Sequence, residues 1–141
     1  MRDRIRRINP PQLHPTSGYH HITVVEAGRL AVLAGQCPVD ADDQVVGVGD
    51  LDAQIDQVVA NSLIALGAVE ATPAQVIRSA VYIVSADSAV LADAWDRFAE
   101  SAVGAALTTS STLVGVAALG YRNQLVELDL TAALDQRLDQ S

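Results

Sequence analysis

The sequence predicts an α+β fold: a single mixed β-sheet with two helices packed on one face. Three observations point there. Two segments carry apolar residues at three- and four-residue steps, as helices with one buried stripe do. β-branched runs precede, separate and follow them. The chain has 141 residues, half of them apolar, which suits one domain with a core of its own.

The elements follow in order. Residues 1–18 are rich in Arg, Pro and polar groups and read as an irregular lead-in. Ile22 to Val25 and Leu30 to Leu33 are apolar runs around the Gly28-Arg29 turn, and together they resemble a hairpin. Pro38 and the acidic stretch from Asp40 to Asp43 mark a loop, with at most a short strand at Val45 and Val46. Asp50 is placed to cap a helix whose stripe is Leu51, Ile55, Val58, Val59, Ser62 and Leu66, ended by Gly67. Thr72-Pro73 starts a further helical turn. Val76 to Val84 reads as a strand. Asp87 or Ser88 caps a second helix with Leu91, Ala94, Trp95, Phe98 and Ala102 inward. Thr112 to Leu119 and Leu125 to Ala132 close the pattern as strands, and 135–141 is expected to fray as an acidic tail. With both helices on one face, nothing in the chain is left to cover the other. Self-association through the sheet follows.

Charge and composition narrow the function classes. The net charge is −8, which repels nucleic acid unless a concentrated basic face offsets it. The only basic cluster, Arg2, Arg4, Arg6 and Arg7, lies in the lead-in and is expected to be solvated. Charged residues make up 18% of the chain, below the usual quarter, which again favours surface covered by another subunit. The single cysteine, Cys37, makes no internal disulfide. No apolar run reaches the roughly 20 residues that span a bilayer. The basic start leads to Asn9-Pro10-Pro11 rather than to an apolar signal segment. A cytoplasmic protein is predicted, without membrane or nucleic-acid partner.

Few residues suggest chemistry on their own. Adjacent His20 and His21 point to opposite faces of a strand and cannot readily share a metal, so no metal site is expected. Cys37 lacks any nucleophile signature and reads as a small packing residue. Gln54, Gln57 and Asn61 form a polar stripe on the first helix, by default solvated. Glu127 and Asp129 share one face of the last strand, and Val126, Leu128 and Leu130 the other. That acidic face is either plain solvated surface or one side of a cleft in which a carboxylate can serve as acid or base.

Taken together, Tyr19-His20-His21, Leu33-Ala34-Gly35-Gln36, Val48-Gly49-Asp50, Gln54, Asn61, Ala65-Leu66-Gly67, Val81-Tyr82, Val114-Gly115-Val116 and Leu125-Val126-Glu127-Leu128 resemble the RidA/YjgF family, over 19–134 as one domain. The resemblance implies a chorismate-mutase-like fold and a homotrimer whose sheets line a central β-barrel. It implies small-molecule clefts between neighbouring subunits. It further implies cofactor-free hydrolysis of enamines and imines of 2-amino acids to 2-oxo acids and ammonia.

By that resemblance Glu127 positions or activates water, Tyr19 lines the cleft, and Gly35 with Gln36 offers backbone groups to the ligand. Three positions depart from the family pattern. Its strand-end serine is Ala34, its carboxylate-gripping arginine is Ser111, and its cysteine two residues later is Leu113. A guanidinium holds a carboxylate by two charge-assisted bonds, and losing such a bond costs about 1.5–3 kcal/mol. Arg122 in the loop before the last strand is one compensating candidate, and the hydroxyls up to Ser111 and Thr112 are another. Two readings therefore stand side by side: a divergent deaminase-type hydrolase, or a non-catalytic binding or sensing trimer. An interaction protein using the trimer surface is a third.

Overall fold

A computed structural model describes residues 4–26 and 28–135. Its strands are β1 (Ile5–Ile8), β2 (Ile22–Val25), β3 (Leu30–Val32), β4 (Val76–Val84), β5 (Ser110–Val116) and β6 (Val126–Ala133); its helices are α1 (Leu51–Ala68) and α2 (Ser88–Ala99). Four strands form a mixed sheet in the order β3-β6-β4-β5, with β4 and β5 parallel and the other neighbours antiparallel. The fold is α+β, with two helices packed on a mixed sheet, as expected.

The alternation in β6 decides which face is buried. Val126, Leu128, Leu130 and Ala132 are almost inaccessible, whereas Glu127, Asp129 and Thr131 are half-buried on the open face. Val81 and Ile83 of β4 join the first set. Against them α1 places Ile55, Val58, Val59 and Leu66, and α2 places Ala94 and Phe98. A residue such as Phe98, fully buried, contributes roughly 1.5–3 kcal/mol by leaving water. Both helices start as read: the Asp50 carboxylate accepts from the Ala53 N–H, and the Asp87 carboxylate from the Ala89 N–H.

Five expectations need correction. The lead-in is not wholly irregular, because Ile5–Ile8 pairs antiparallel with Ile22–Val25. Two of its arginines are not solvated: Arg4 donates to the Leu134 carbonyl and Arg7 to those of Ala74 and Val76, whereas Arg6 is exposed and Arg2 lies outside the described residues. The expected hairpin is split, since β2 pairs with β1 while β3 pairs with β6. Ala102 is exposed, because α2 ends three residues before it. Pro73 opens only a short 3-10 turn, and the Val45 region makes a single bridge, to Val39. Most of the tail expected at 135–141 lies outside the described residues.

Gln54 is the fifth correction. It is fully buried rather than part of a solvated stripe. Its amide donates to the carbonyls of Gly47 (3.2 Å) and Asn123 (2.9 Å), and its oxygen accepts from the Leu125 N–H (2.8 Å). Asn61 likewise donates to the Cys37 and Val39 carbonyls. The polar face of α1 is a set of ties to the loops that flank β3 and β6.

Candidate functional site

The sequence-predicted site residues fall into two groups. The first is built around Glu127, whose position opposite Tyr82 in the β6–β4 ladder puts it on the open face. Gly35 and Gln36 follow β3, and Gln36 exchanges two backbone hydrogen bonds with Leu128 (2.7 and 3.0 Å). That bridge lays Gly35 directly against the Glu127 side chain. A Cβ built on Gly35 would stand 2.1 Å from Glu127 Oε2, so only glycine leaves the carboxylate where it is.

Two donors fix the other carboxylate oxygen. The Cys37 thiol (3.3 Å) and the Gln124 amide (3.1 Å) both donate to Glu127 Oε1. Gln124 is itself buried and held by the Val126 carbonyl and the Tyr121 N–H. Oε2 is left on the Gly35 side, oriented to accept a proton or hold a water. Neither partner was foreseen: Cys37 read as packing, and Gln124 gave no periodic signal.

Burial, with the hydrogen bond and the negative charge of Glu127 added to it, pushes the Cys37 thiol up from 9.0 to about 11. Near pH 8 the thiolate fraction falls from roughly one-tenth to roughly one-thousandth. Iodoacetamide should therefore alkylate the native protein on the order of 100-fold more slowly than the unfolded chain, as read by mass spectrometry. Equal rates would contradict the Cys37–Glu127 bond. Because the native state holds this proton more tightly, its stabilising contribution is whole below pH 9 and is lost as pH rises through about 11.

Gly35→Ala supplies a second check. The backbone here needs no left-handed conformation, so the fold should persist with its melting temperature nearly unchanged, while the Glu127 carboxylate swings aside. Reaction of Cys37 with iodoacetamide should then speed up at least several-fold, because the acceptor that holds its proton has left.

The second group surrounds a pocket of about 350 Å³ lined by Ser17, Tyr19, Ala92, Trp95, Ser111 and Leu113. β5 is an edge strand, and Ser111 and Leu113 pair with Ser79 and Val81, so they face the helix side. Tyr19 and Trp95 meet edge to face, with centroids 6.3 Å apart. His14 Nε2 lies 3.3 Å from the Tyr19 hydroxyl, and the His14 and His21 rings are T-shaped at 4.7 Å. The Ser111 hydroxyl turns inward toward Ser79 and the carbonyls of Leu107 (3.1 Å) and Thr109 (3.2 Å). Trp95, foreseen as part of the buried stripe of α2, is half-buried and walls this pocket.

Thr112 and Arg122 belong to neither group. Thr112 is on the opposite face from Ser111 and accepts from Arg78 Nη2 (2.6 Å). Arg122 is exposed in the loop before β6, with no hydrogen bond to a described residue. The Ala34 carbonyl takes the Gln36 side-chain amide (3.0 Å). Among the described residues no group of three or more His, Cys, Asp or Glu side chains could hold a metal, and no helix is long and apolar enough to cross a membrane.

This geometry can be set beside known proteins. A family model described as endoribonuclease L-PSP matches residues 10–134. The chain belongs to that family. The structure of YyfB from Yersinia pestis, a Rid family protein of unknown function, superposes with a TM-score of 0.82 at 34% identity, covering 94% of this chain and all of that one. A Mycobacterium tuberculosis member of the YjgF/YER057c/UK114 family superposes at 0.58 with 26% identity, over 92% and 99% of the two chains. Yeast Mmf1, at 20% identity and 0.65 over 93% and 99%, shares the fold. No curated protein matches. Membership in the Rid/YjgF family, read from the sequence landmarks, is thus shown.

Proposed function

We propose that this Rid-family protein is a cofactor-free hydrolase of small imines or enamines, working in a cleft between copies of the chain. The observation that carries this is the Glu127 carboxylate, with one oxygen fixed by Cys37 and Gln124 and the other bare against Gly35. Such a group takes a proton from water as the oxygen adds to an imine carbon. The C–N bond then breaks, leaving a carbonyl compound and ammonia. The thiol does not attack, because it stays protonated at neutral pH.

Within one chain the aromatic pocket and Glu127 lie on opposite faces of the sheet. A homotrimer, with its open faces turned inward to a barrel, would bring the pocket of one copy to the Glu127 of the next. Apolar side chains left in water support such an assembly: Leu30 is 53% and Val32 77% exposed on the β3 edge. The assigned roles are Glu127 for water, Gly35 and Gln36 backbone with Tyr19 for orientation, and the Ser111–Leu113 strand for the ligand body. The acidic net charge disfavours RNA as substrate despite the family's endoribonuclease name.

Ala34, Ser111 and Leu113 favour a second reading, a binding or sensing trimer that has lost turnover. Ammonia release from freshly generated imines, with and without a carboxylate, separates the two. Release well above the spontaneous rate supports the hydrolase. Silence toward every imine, from a protein shown by sedimentation to be an oligomer, leaves the binding reading. A stable monomer at micromolar concentration removes both.

A further inference from the structure

We infer that the Tyr19–Trp95 pocket selects an uncharged ligand carrying an apolar or aromatic group, which makes the substrate class a neutral imine or enamine rather than a 2-imino acid. This deepens the proposed function and rests on it. Among the described residues, the pocket lining contains no charged side chain. Its surfaces are an indole, a phenol, Leu113 and Ala92, with the hydroxyls of Ser17, Ser111 and Tyr19 and the indole N–H of Trp95 as its side-chain polar groups, all of them neutral. Of these, the Ser111 hydroxyl is turned toward Ser79 and two backbone carbonyls, so it has no proton to give a ligand. A carboxylate here would leave water for a wall of carbon and a few neutral donors, which does not repay its desolvation.

Among the described residues, the arginines of α2 and β4 are committed elsewhere. Arg97 of α2 clamps Asp56 of α1 at 3.0 and 2.8 Å, with Asp52 at 3.6 Å. Arg78 is spent on the Ser79 and Ser110 carbonyls and on Thr112. Asp93 and Asp96 flank Trp95 along α2 and add negative field. His14 and His21 stand beside Tyr19 but do not belong to the pocket lining. The volume, about 350 Å³, is at the small end of ligand pockets and fits one ring with a short polar tail. The hydrolysis keeps its balance for such a compound: water adds to the carbon of R₂C=NH, the C–N bond breaks, and R₂C=O and NH₃ leave.

Trp95 is the only tryptophan, so its fluorescence reads the pocket without any turnover. The probes are 3-phenylpropanamide and 3-phenylpropanoate, equal in shape and different in charge, titrated at about pH 8 where the free carboxylate is ionised. The amide should bind at least roughly tenfold more tightly, and Ser111→Arg should reverse the order. Equal binding, tighter binding of the carboxylate, or no response to either at millimolar concentration overturns the inference. A cation brought by a neighbouring copy would show as tighter carboxylate binding. The same titration on Glu127→Gln separates the two proposals. The amide preference should persist in Glu127→Gln while turnover is lost; an intact amide preference in wild-type protein that hydrolyses nothing rejects the hydrolase and keeps the neutral pocket.

Discussion

Glu127→Gln should lower kcat/KM for imine hydrolysis by about 10²–10⁴-fold, with the melting temperature within roughly 2 °C of wild type. Glutamine keeps the size of the side chain and an oxygen that can still accept from Cys37 and Gln124. What it lacks is the ability to take a proton on the Gly35 side. An amide nitrogen there also points a donor at the water that must be activated. The loss should therefore fall on kcat, while binding of a neutral ligand at Trp95 is unchanged. Retained ammonia release in a folded oligomer would sink the assignment of Glu127. A large drop in melting temperature would instead assign the carboxylate to the structure of the β3–β6 junction.

Gln54→Leu should cost about 3 kcal/mol, the largest stability loss expected from a single polar residue of this chain. The volume is nearly kept, so the effect is not a cavity. Leucine leaves the Asn123 carbonyl and the Leu125 N–H without their side-chain partner at a fully buried position, while the Gly47 carbonyl keeps the Asp50 N–H. Each orphaned buried group costs about 1–3 kcal/mol, and some relaxation lets the sum fall short of full additivity. A domain of this size stands only about 5–15 kcal/mol above unfolding. A thermal melt should shift down by roughly 10 °C. Activity should fall as well, because Asn123 and Leu125 flank Gln124, the donor that fixes Glu127. A shift under about 2 °C would mean that water replaces the amide and that α1 does not anchor the loop.

Gln54 also shows where sequence reading stops. With Gln57 and Asn61 it makes a polar stripe, and periodicity cannot tell a stripe facing water from one whose amides satisfy the backbone of two loops. The apolar pattern carried more: alternation in Leu125 to Ala132 placed Glu127 and Asp129 on the open face, and the helical steps placed both stripes and both caps. β1 was hidden because Ile5-Arg6-Arg7-Ile8 looks like a basic tail. Arg7 and the adjoining Arg4 instead donate to carbonyls far along the chain, and nothing local announces that. The split of the expected hairpin has the same origin, since the partner of β3 lies about a hundred residues away. At the site, landmark residues gave Glu127, Gly35 and Tyr19. The thiol and amide that hold Glu127, and the tryptophan that walls the pocket, became legible only once the chain was folded.

The strand order β3-β6-β4-β5 puts the latest-made strand between two early ones. During synthesis β4 and β5 can pair as soon as both have left the ribosome, but β3 has no neighbour until Ala133 has followed. The emerging chain thus carries two open strand edges and an uncovered helix stripe through most of its translation, which is when such edges invite wrong pairings. A ribosome stalled anywhere before residue 126 would release not a smaller version of this protein but a sheet missing its centre. For a chain with so few charges, that species is the one a cell's folding machinery has to catch.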